Sequence, residues 1–276
     1  MTTVCLSFDF DAMANWISGH KLTTPTPLSR GEYGARVGVG RILDLLAANQ
    51  VTATFFVPGH TAVTFPAEVK AIHRAGHEIA AHGFSHATPV SMGLDGEIAD
   101  FDAAERALGE LLGLKPAGYR SPAWDLSADT LGLLQERGYL YDSSLMADDF
   151  TPYHPRLGDR VDADGTVHFG APARLVELPV SWELDDYVHF QYVARALPGL
   201  KSADDVEKLW LAEFDYCARR VASGVFTLTM HPQVIGRGPR IVMLDRLIKA
   251  MKAYPDVTFR RMEDVAREFL ATSGQG

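Results

Sequence analysis

The chain has 276 residues, 47% of them hydrophobic and 22% charged, which supplies a sizeable core and excludes a generally disordered polypeptide. With 35 acidic against 26 basic side chains the formal net charge is −9, which argues against a nucleic-acid binder, and no Lys/Arg-rich run suits an anionic membrane surface. Two cysteines, Cys5 and Cys217, are too few for a disulfide framework, and no run of about 18 apolar residues exists for a membrane span.

Val4 to Phe8 is a short apolar run ending at Asp9, the pattern of a buried parallel strand. The preceding Met1-Thr2-Thr3 has neither a basic nor a long apolar leader, so the expected location is cytoplasmic. From Ala12 to Ala35 a Pro-, Gly- and Thr-rich connection carries Trp16 and Tyr33, an expected aromatic roof over a site. Val37 to Asn49 has helical spacing, Thr52 to Val57 reads as a second strand stopped by Pro58-Gly59, and Pro66 to Ala75 as a helix opened by proline. His77 to Ala81 is a third strand that delivers His82. An amphipathic helix spans Asp95 to Leu112, a brief strand Ala117 to Arg120, a helix opened by Ser127, and another strand Gly138 to Asp142. Beyond Ser143 the pattern turns β-like, with a hairpin turn at Asp162 to Thr166 and a strand at Leu175 to Val180. A long helix over Ala203 to Ala222 leads to the strand Val225 to Met230, which ends at His231. A helix from Ile241 to Ala253, a strand Val257 to Phe259 and a helix Met262 to Leu270 finish the chain. Strand–helix alternation of this kind predicts a parallel sheet with helices outside, and the length suits one domain over residues 1–276.

The chemistry-bearing residues fall at the carboxyl ends of predicted strands, where α/β barrels place their sites. His82 and His86, four apart, offer two imidazoles from one loop, and Asp9 or Asp11 is a carboxylate from another strand end. Three protein ligands with one open position make a catalytic metal site. Asp9 and Asp11 lie two apart and so face one way on an extended chain; one suits a ligand and the other a general base. Arg120 is positioned to orient a carboxylate, backbone N–H groups after Pro122 to face an oxyanion, and His231 to protonate a leaving nitrogen. Each residue also has a structural reading, as cap, ion pair or satisfied core histidine; the ordered set is what points to metal-assisted hydrolysis.

That ordered set resembles the polysaccharide deacetylase family: Ser7-Phe8-Asp9-Phe10-Asp11, Thr54 to Gly59, Gly76 to His86, Arg120-Ser121-Pro122-Ala123-Trp124 and Leu228-Thr229-Met230-His231. The resemblance covers about Val4 to Phe269 and implies a distorted seven-stranded (β/α) barrel, a divalent metal, usually Zn2+, and hydrolysis of non-peptide C–N bonds. It also implies roles: His82, His86 and Asp11 as metal ligands, Asp9 as base, Arg120 holding the base, His231 as acid, and the Trp124 backbone N–H at the oxyanion. One departure is that Phe10 separates the two aspartates, which are usually adjacent. This spacing is similar to a branch of cyclic imide hydrolases, a peptidoglycan deacetylase-like protein and, more distantly, cofactor-independent allantoinases, which implies a homo-oligomer. For the aspartate that tunes the catalytic histidine, Asp142, Asp148 and Asp149 are all candidates.

The expected function is hydrolysis of a small amide, cyclic imide or ureide, with N-deacetylation of an N-acetyl sugar or peptidoglycan as the alternative. Glycoside hydrolysis by a pair such as Glu177 and Glu183 leaves the three histidines without a task. A non-catalytic metal- or carbohydrate-binding module fits less well, because Asp9, Arg120 and His231 are all present. Dinucleotide, phosphate-loop and serine-elbow motifs are missing.

Overall fold

A computed structural model describes residues 1–273. Eight strands form one parallel sheet: β1 (Thr2–Asp9), β2 (Thr54–Val57), β3 (Glu78–Ala81), β4 (Gly118–Tyr119), β5 (Tyr141–Asp142), β6 (Val176–Glu177), β7 (Val225–Met230) and β8 (Val257–Phe259). Seven run in the order β6-β5-β4-β3-β2-β1-β7, while β8 pairs with the first half of β1 and β2 with its second half. Between β6 and β7 the strands themselves do not pair. A crossing segment fills that seam at one end, where Tyr153 bridges Glu177 and the Val225 N–H donates to Phe150 O (2.8 Å). At the other end a single parallel bridge joins Asp185 to Thr229.

Among the described residues eleven α-helices surround or cap the sheet: α1 (Pro25–Tyr33), α2 (Val39–Asn49), α3 (Gly59–Thr64), α4 (Pro66–Arg74), α5 (Gly93–Leu112), α6 (Thr130–Glu136), α7 (Asp186–Phe190), α8 (Ala203–Arg220), α9 (Pro232–Ile235), α10 (Gly238–Lys252) and α11 (Met262–Ser273). The hairpin expected at Asp162 to Thr166 is present, closed by Arg160–Val161 against Val167–His168. The connection after β1 is more ordered than its composition suggests, since it folds into two π-type turns (Asn15–Gly19 and Gly34–Gly38) around α1. Besides α1, helices α3, α7 and α9 are additions to the expected set, all three short enough to escape a periodicity reading.

Period-2 alternation explains how the sheet sorts its side chains. Along β1, Val4, Leu6 and Phe8 join the large core under the helices, whereas Cys5 joins a smaller cluster with Phe56, Ala80, Tyr141, Val176 and Val225. Met262, Val265 and Ala266 of α11 pack into that same smaller cluster. A polar layer lies beside it: Glu78 accepts from Thr54 Oγ1 (2.7 Å), Tyr141 OH (2.8 Å) and the Glu263 N–H (2.9 Å). Continuing the same alternation outward places Ser7 and Asp9, then His82, Arg120 and His231, on the one face at the carboxyl ends. Room for the Tyr141 ring comes from Gly118, where an added Cβ would lie 1.9 Å from a ring carbon.

Candidate active site

Asp9 and Asp11 are both buried at the end of β1. Arg120 follows β4 and is fully buried; its Nη1 donates to Asp9 Oδ1 (2.7 Å) and Ser7 Oγ (2.9 Å). Its Nε and Nη2 donate to Ser143 O (3.0 Å) and Ser143 Oγ (2.9 Å), and its guanidinium lies 4.0 Å from the Phe56 ring centre. A planar fork held at this many points fixes the direction of the Asp9 carboxylate. The structural and the orienting readings of Arg120 are thus one geometry.

His82 donates from Nδ1 to Arg120 O (2.6 Å). A carbonyl only accepts, so the proton is on Nδ1 and the Nε2 lone pair is free. That Nε2 lies 3.5 Å from Asp11 Oδ1, and His86 Nε2 lies 3.4 Å from the same oxygen. Burial pushes His82 down to about 4, which keeps it neutral, as a ligand must be. Burial also pushes the Asp11 carboxyl up, but His86, His231 and His82 outweigh it and hold the group well below the usual carboxylate range. Among the described residues neither Asp11 oxygen has a hydrogen-bond partner, despite complete burial. The ligand atoms of Asp11, His82 and His86 all lie within 4.8 Å of one another.

His231 follows β7, and its Nδ1 donates to Asp186 Oδ1 (2.7 Å) while its backbone N–H donates to Asp186 Oδ2 (3.0 Å). Its Nε2 then faces the two β1 aspartates, 3.7 Å from Asp11 Oδ2 and 4.0 Å from Asp9 Oδ2. Burial disfavours the charged ring, yet Asp186, Asp185 and Asp11 together raise its pKa well above the ordinary histidine value. Asp186 is therefore the carboxylate that holds this histidine, in place of Asp142, Asp148 and Asp149. Asp142 accepts from Ser144 Oγ (2.8 Å), and Asp148 accepts the N–H groups of Phe150 and Thr151. Sequence reasoning missed Asp186; the signal available was an adjacent acidic pair, Asp185-Asp186, soon after an apolar strand.

Two further expectations need correction. The Trp124 N–H donates to Ser121 O (2.9 Å), closing a tight turn over Pro122 and Ala123 in which Ala123 takes the left-handed conformation (φ 55°). The Ala123 N–H, one residue earlier, has no partner among the described residues, and Ala123 lines the cavity. Trp16 and Tyr33 do not roof the site: Trp16 is buried beneath the Arg30 guanidinium (4.6 Å), and Tyr33 OH donates to Gly236 O (3.0 Å). The turn around Trp16 instead presents Asn15, Gly19 and His20 to the cavity. Asn15 Nδ2 donates to Tyr187 OH (3.1 Å), which also meets His20 Nε2 (2.8 Å) and ties that turn to α7.

The cavity has a volume of about 450 Å³, within the range of small-molecule sites. Trp124 and Trp182 line it with ring centres 4.2 Å apart, and Val188, Leu197, Asp9, Asp11, His82, His86 and His231 line it too. Glu177 and Glu183 are not brought together. Glu177 is buried and accepts the N–H groups of Ser144 and Leu145, while Glu183 is exposed beside Ser181, so the paired-carboxylate reading has no geometry behind it.

A sequence profile described as polysaccharide deacetylase matches residues 32–141. A peptidoglycan deacetylase of Helicobacter pylori is 33% identical over 280 residues, spanning 97% of this chain and 96% of its own length. A peptidoglycan deacetylase-like protein of Gibberella zeae is 31% identical, spanning 97% and 86%. Among solved structures, one from Mycobacterium smegmatis attributed to a polysaccharide deacetylase is 35% identical with a TM-score of 0.86, covering 99% of this chain and 91% of that one. The PuuE allantoinase structure is 26% identical with a TM-score of 0.79, covering 98% and 91%.

Proposed function

Because this chain belongs to the polysaccharide deacetylase family, metal-dependent hydrolases of carbon–nitrogen bonds, we propose that it hydrolyses a small amide, cyclic imide or ureide. The observation that carries the choice of a small substrate is the 450 Å³ cavity, lined by Asn15, Gly19 and His20 as well as by the paired rings of Trp124 and Trp182. The likeness to an allantoinase supports it.

Asp11, His82 and His86 fit a divalent cation. Both Asp11 oxygens are buried and unpartnered, His82 presents a free Nε2, and a set of two imidazoles and one carboxylate suits Zn2+. When bound there, the cation supplies Lewis acidity, activating water and polarising the substrate carbonyl. Asp9, held by Arg120, takes a proton from the attacking water. The Ala123 N–H donates to the oxygen that gains negative charge as the carbonyl carbon becomes tetrahedral. His231, kept protonated by Asp186, gives its Nε2 proton to the departing nitrogen, so the C–N bond breaks as an N–H bond forms.

N-deacetylation of a sugar is the second reading, favoured by the 33% identity to a peptidoglycan deacetylase along nearly the full chain. The two are separated by assaying succinimide-type cyclic imides and allantoin beside N-acetylglucosamine oligomers, with elemental analysis of the wild type and His82→Ala. Near-stoichiometric metal that His82→Ala loses, with turnover of an imide or ureide, is the expected result. Turnover of the oligomers alone would replace the small-substrate reading. A wild type that takes up no zinc on reconstitution and cleaves none of these would overturn both.

A further inference from the structure

The two imidazoles proposed to hold the cation are anchored unequally. His82 is fixed through its ring, Nδ1 to Arg120 O at 2.6 Å. His86 is not, since its Nδ1 is buried and has no hydrogen-bond partner. Its backbone is also in the left-handed region, with φ of 64°, a conformation that a residue with a Cβ keeps only where the surroundings impose it. The His86 ring does pack edge-on against the His82 ring (centres 4.9 Å apart), with its Nε2 3.4 Å from Asp11 Oδ1, but with no hydrogen bond at Nδ1 its placement depends chiefly on the peptide backbone of residues 83–86.

That backbone is held from both sides. Gly83 O and Phe84 O accept from the Gly59 and His60 N–H groups at the start of α3, each at 2.9 Å. On the other side, the Phe84 N–H donates to Asp100 Oδ2 (2.7 Å) and the Ser85 N–H to Asp100 Oδ1 (2.9 Å). Asp100 lies on α5, far from the cavity lining in sequence and absent from it in space. Gly83 is what lets its carboxylate in: with φ of +64°, an added Cβ would lie 2.6 Å from Asp100 Oδ2. One carboxylate bridging two consecutive N–H groups fixes two peptide planes between the histidines, and charge-assisted bonds of this kind are about twice as strong as neutral ones.

We propose that Asp100 is a positioning residue for the metal site, setting the backbone between His82 and His86 so that the His86 ring, which lacks a hydrogen bond at Nδ1, meets the cation. This rests on the reading above that Asp11, His82 and His86 hold a divalent ion. Outer partners that orient a ligand are worth about 10–100-fold in metal affinity, and here the partner acts on the chain rather than on the ring.

The test uses the full chain as wild type, Asp100→Ala, Asp100→Asn and His82→Ala. Three quantities are measured: the Zn2+ dissociation constant by competition with a chromogenic chelator, the electronic absorption spectrum of the Co2+ form, and melting of the metal-free protein. Asp100→Ala is expected to weaken Zn2+ binding about 10–100-fold and to change the Co2+ ligand-field bands, while the metal-free protein still melts cooperatively. Zn2+ affinity and Co2+ bands equal to the wild type in Asp100→Ala would overturn the proposal. If Asp100→Ala does not fold, the same two readouts on Asp100→Asn, which keeps one acceptor, decide in the same way. A wild type that binds no Zn2+ would remove the metal reading itself, an outcome distinct from wild type and Asp100→Ala binding equally well.

Discussion

Replacing Arg120 with methionine isolates the contribution of the buried pair under the site. Methionine keeps an unbranched apolar stem against Phe56 but removes every donor. Asp9 then loses a bond at 2.7 Å, and Ser143 O and Oγ lose theirs at 3.0 and 2.9 Å. Ser7 Oγ loses its donor but still donates to Leu228 O (3.0 Å), so it is not orphaned. Stranding one member of a buried ion pair costs about 3–5 kcal/mol, and leaving a buried carbonyl without a donor adds about 1–3 kcal/mol. A loss of about 5 kcal/mol is therefore expected for the metal-free protein in urea unfolding, a large share of the roughly 5–15 kcal/mol that holds a typical domain. A bound cation offsets part of the loss by neutralising the uncovered carboxylate, so the metal-loaded protein should suffer less. Adding Asp9→Asn should restore part of the stability, with a coupling of about 0.5–3 kcal/mol between the two changes. Activity should fall by at least about 100-fold in either single variant, since Asp9 is no longer aimed in the first and the base itself is lost in the second. A cost below about 1 kcal/mol with no coupling would show that Arg120 and Asp9 contribute to stability independently, and the orienting role would fall with it.

Two further outcomes are expected. Burial pushes the Glu78 carboxyl up from 4.5 to about 6 against three hydrogen-bond donors, so the folded state keeps a proton that the unfolded chain releases. Its contribution is complete below about pH 4.5 and lost as pH rises through 6, about 2 kcal/mol in all; urea unfolding across that interval should show wild type losing this much more than Glu78→Gln, and parallel profiles would contradict it. Asp186→Asn should lower kcat by about 100- to 10,000-fold with little change in KM or metal content, because it removes the group that keeps His231 charged while sparing the ligands; an unchanged kcat would exclude His231 as the proton donor.

The residues that alternate along strands were legible because their spacing is itself geometry. Asp9 two positions from Ser7, His82 at the end of β3, and His231 six positions from Val225 all fall on the face that alternation assigns them. Asp186 was not legible in the same way. It meets His231 from 45 residues away, after a 3-10 turn (Trp182–Leu184) that no periodicity announces. The one-residue shift from Trp124 to Ala123 has a similar origin: which N–H a tight turn consumes depends on its hydrogen-bond pattern, and composition does not carry that. Trp16 misled for a different reason. In a Pro-, Gly- and Thr-rich stretch an aromatic reads as a loop residue, yet here the turn folds inward and Arg30 covers the indole.

The seam between β6 and β7 divides the site's labour between two parts of the chain. Asp11, His82 and His86 follow β1 and β3, in the stretch of sheet that is paired through β2. His231 and Asp186 come from opposite lips of the gap, and the Asp185–Thr229 bridge is what brings those lips together. The meeting of His231 with Asp186 thus hangs on a closure of the sheet that Asp11, His82 and His86 do not share, since they rest on the continuous pairing of β1, β2 and β3.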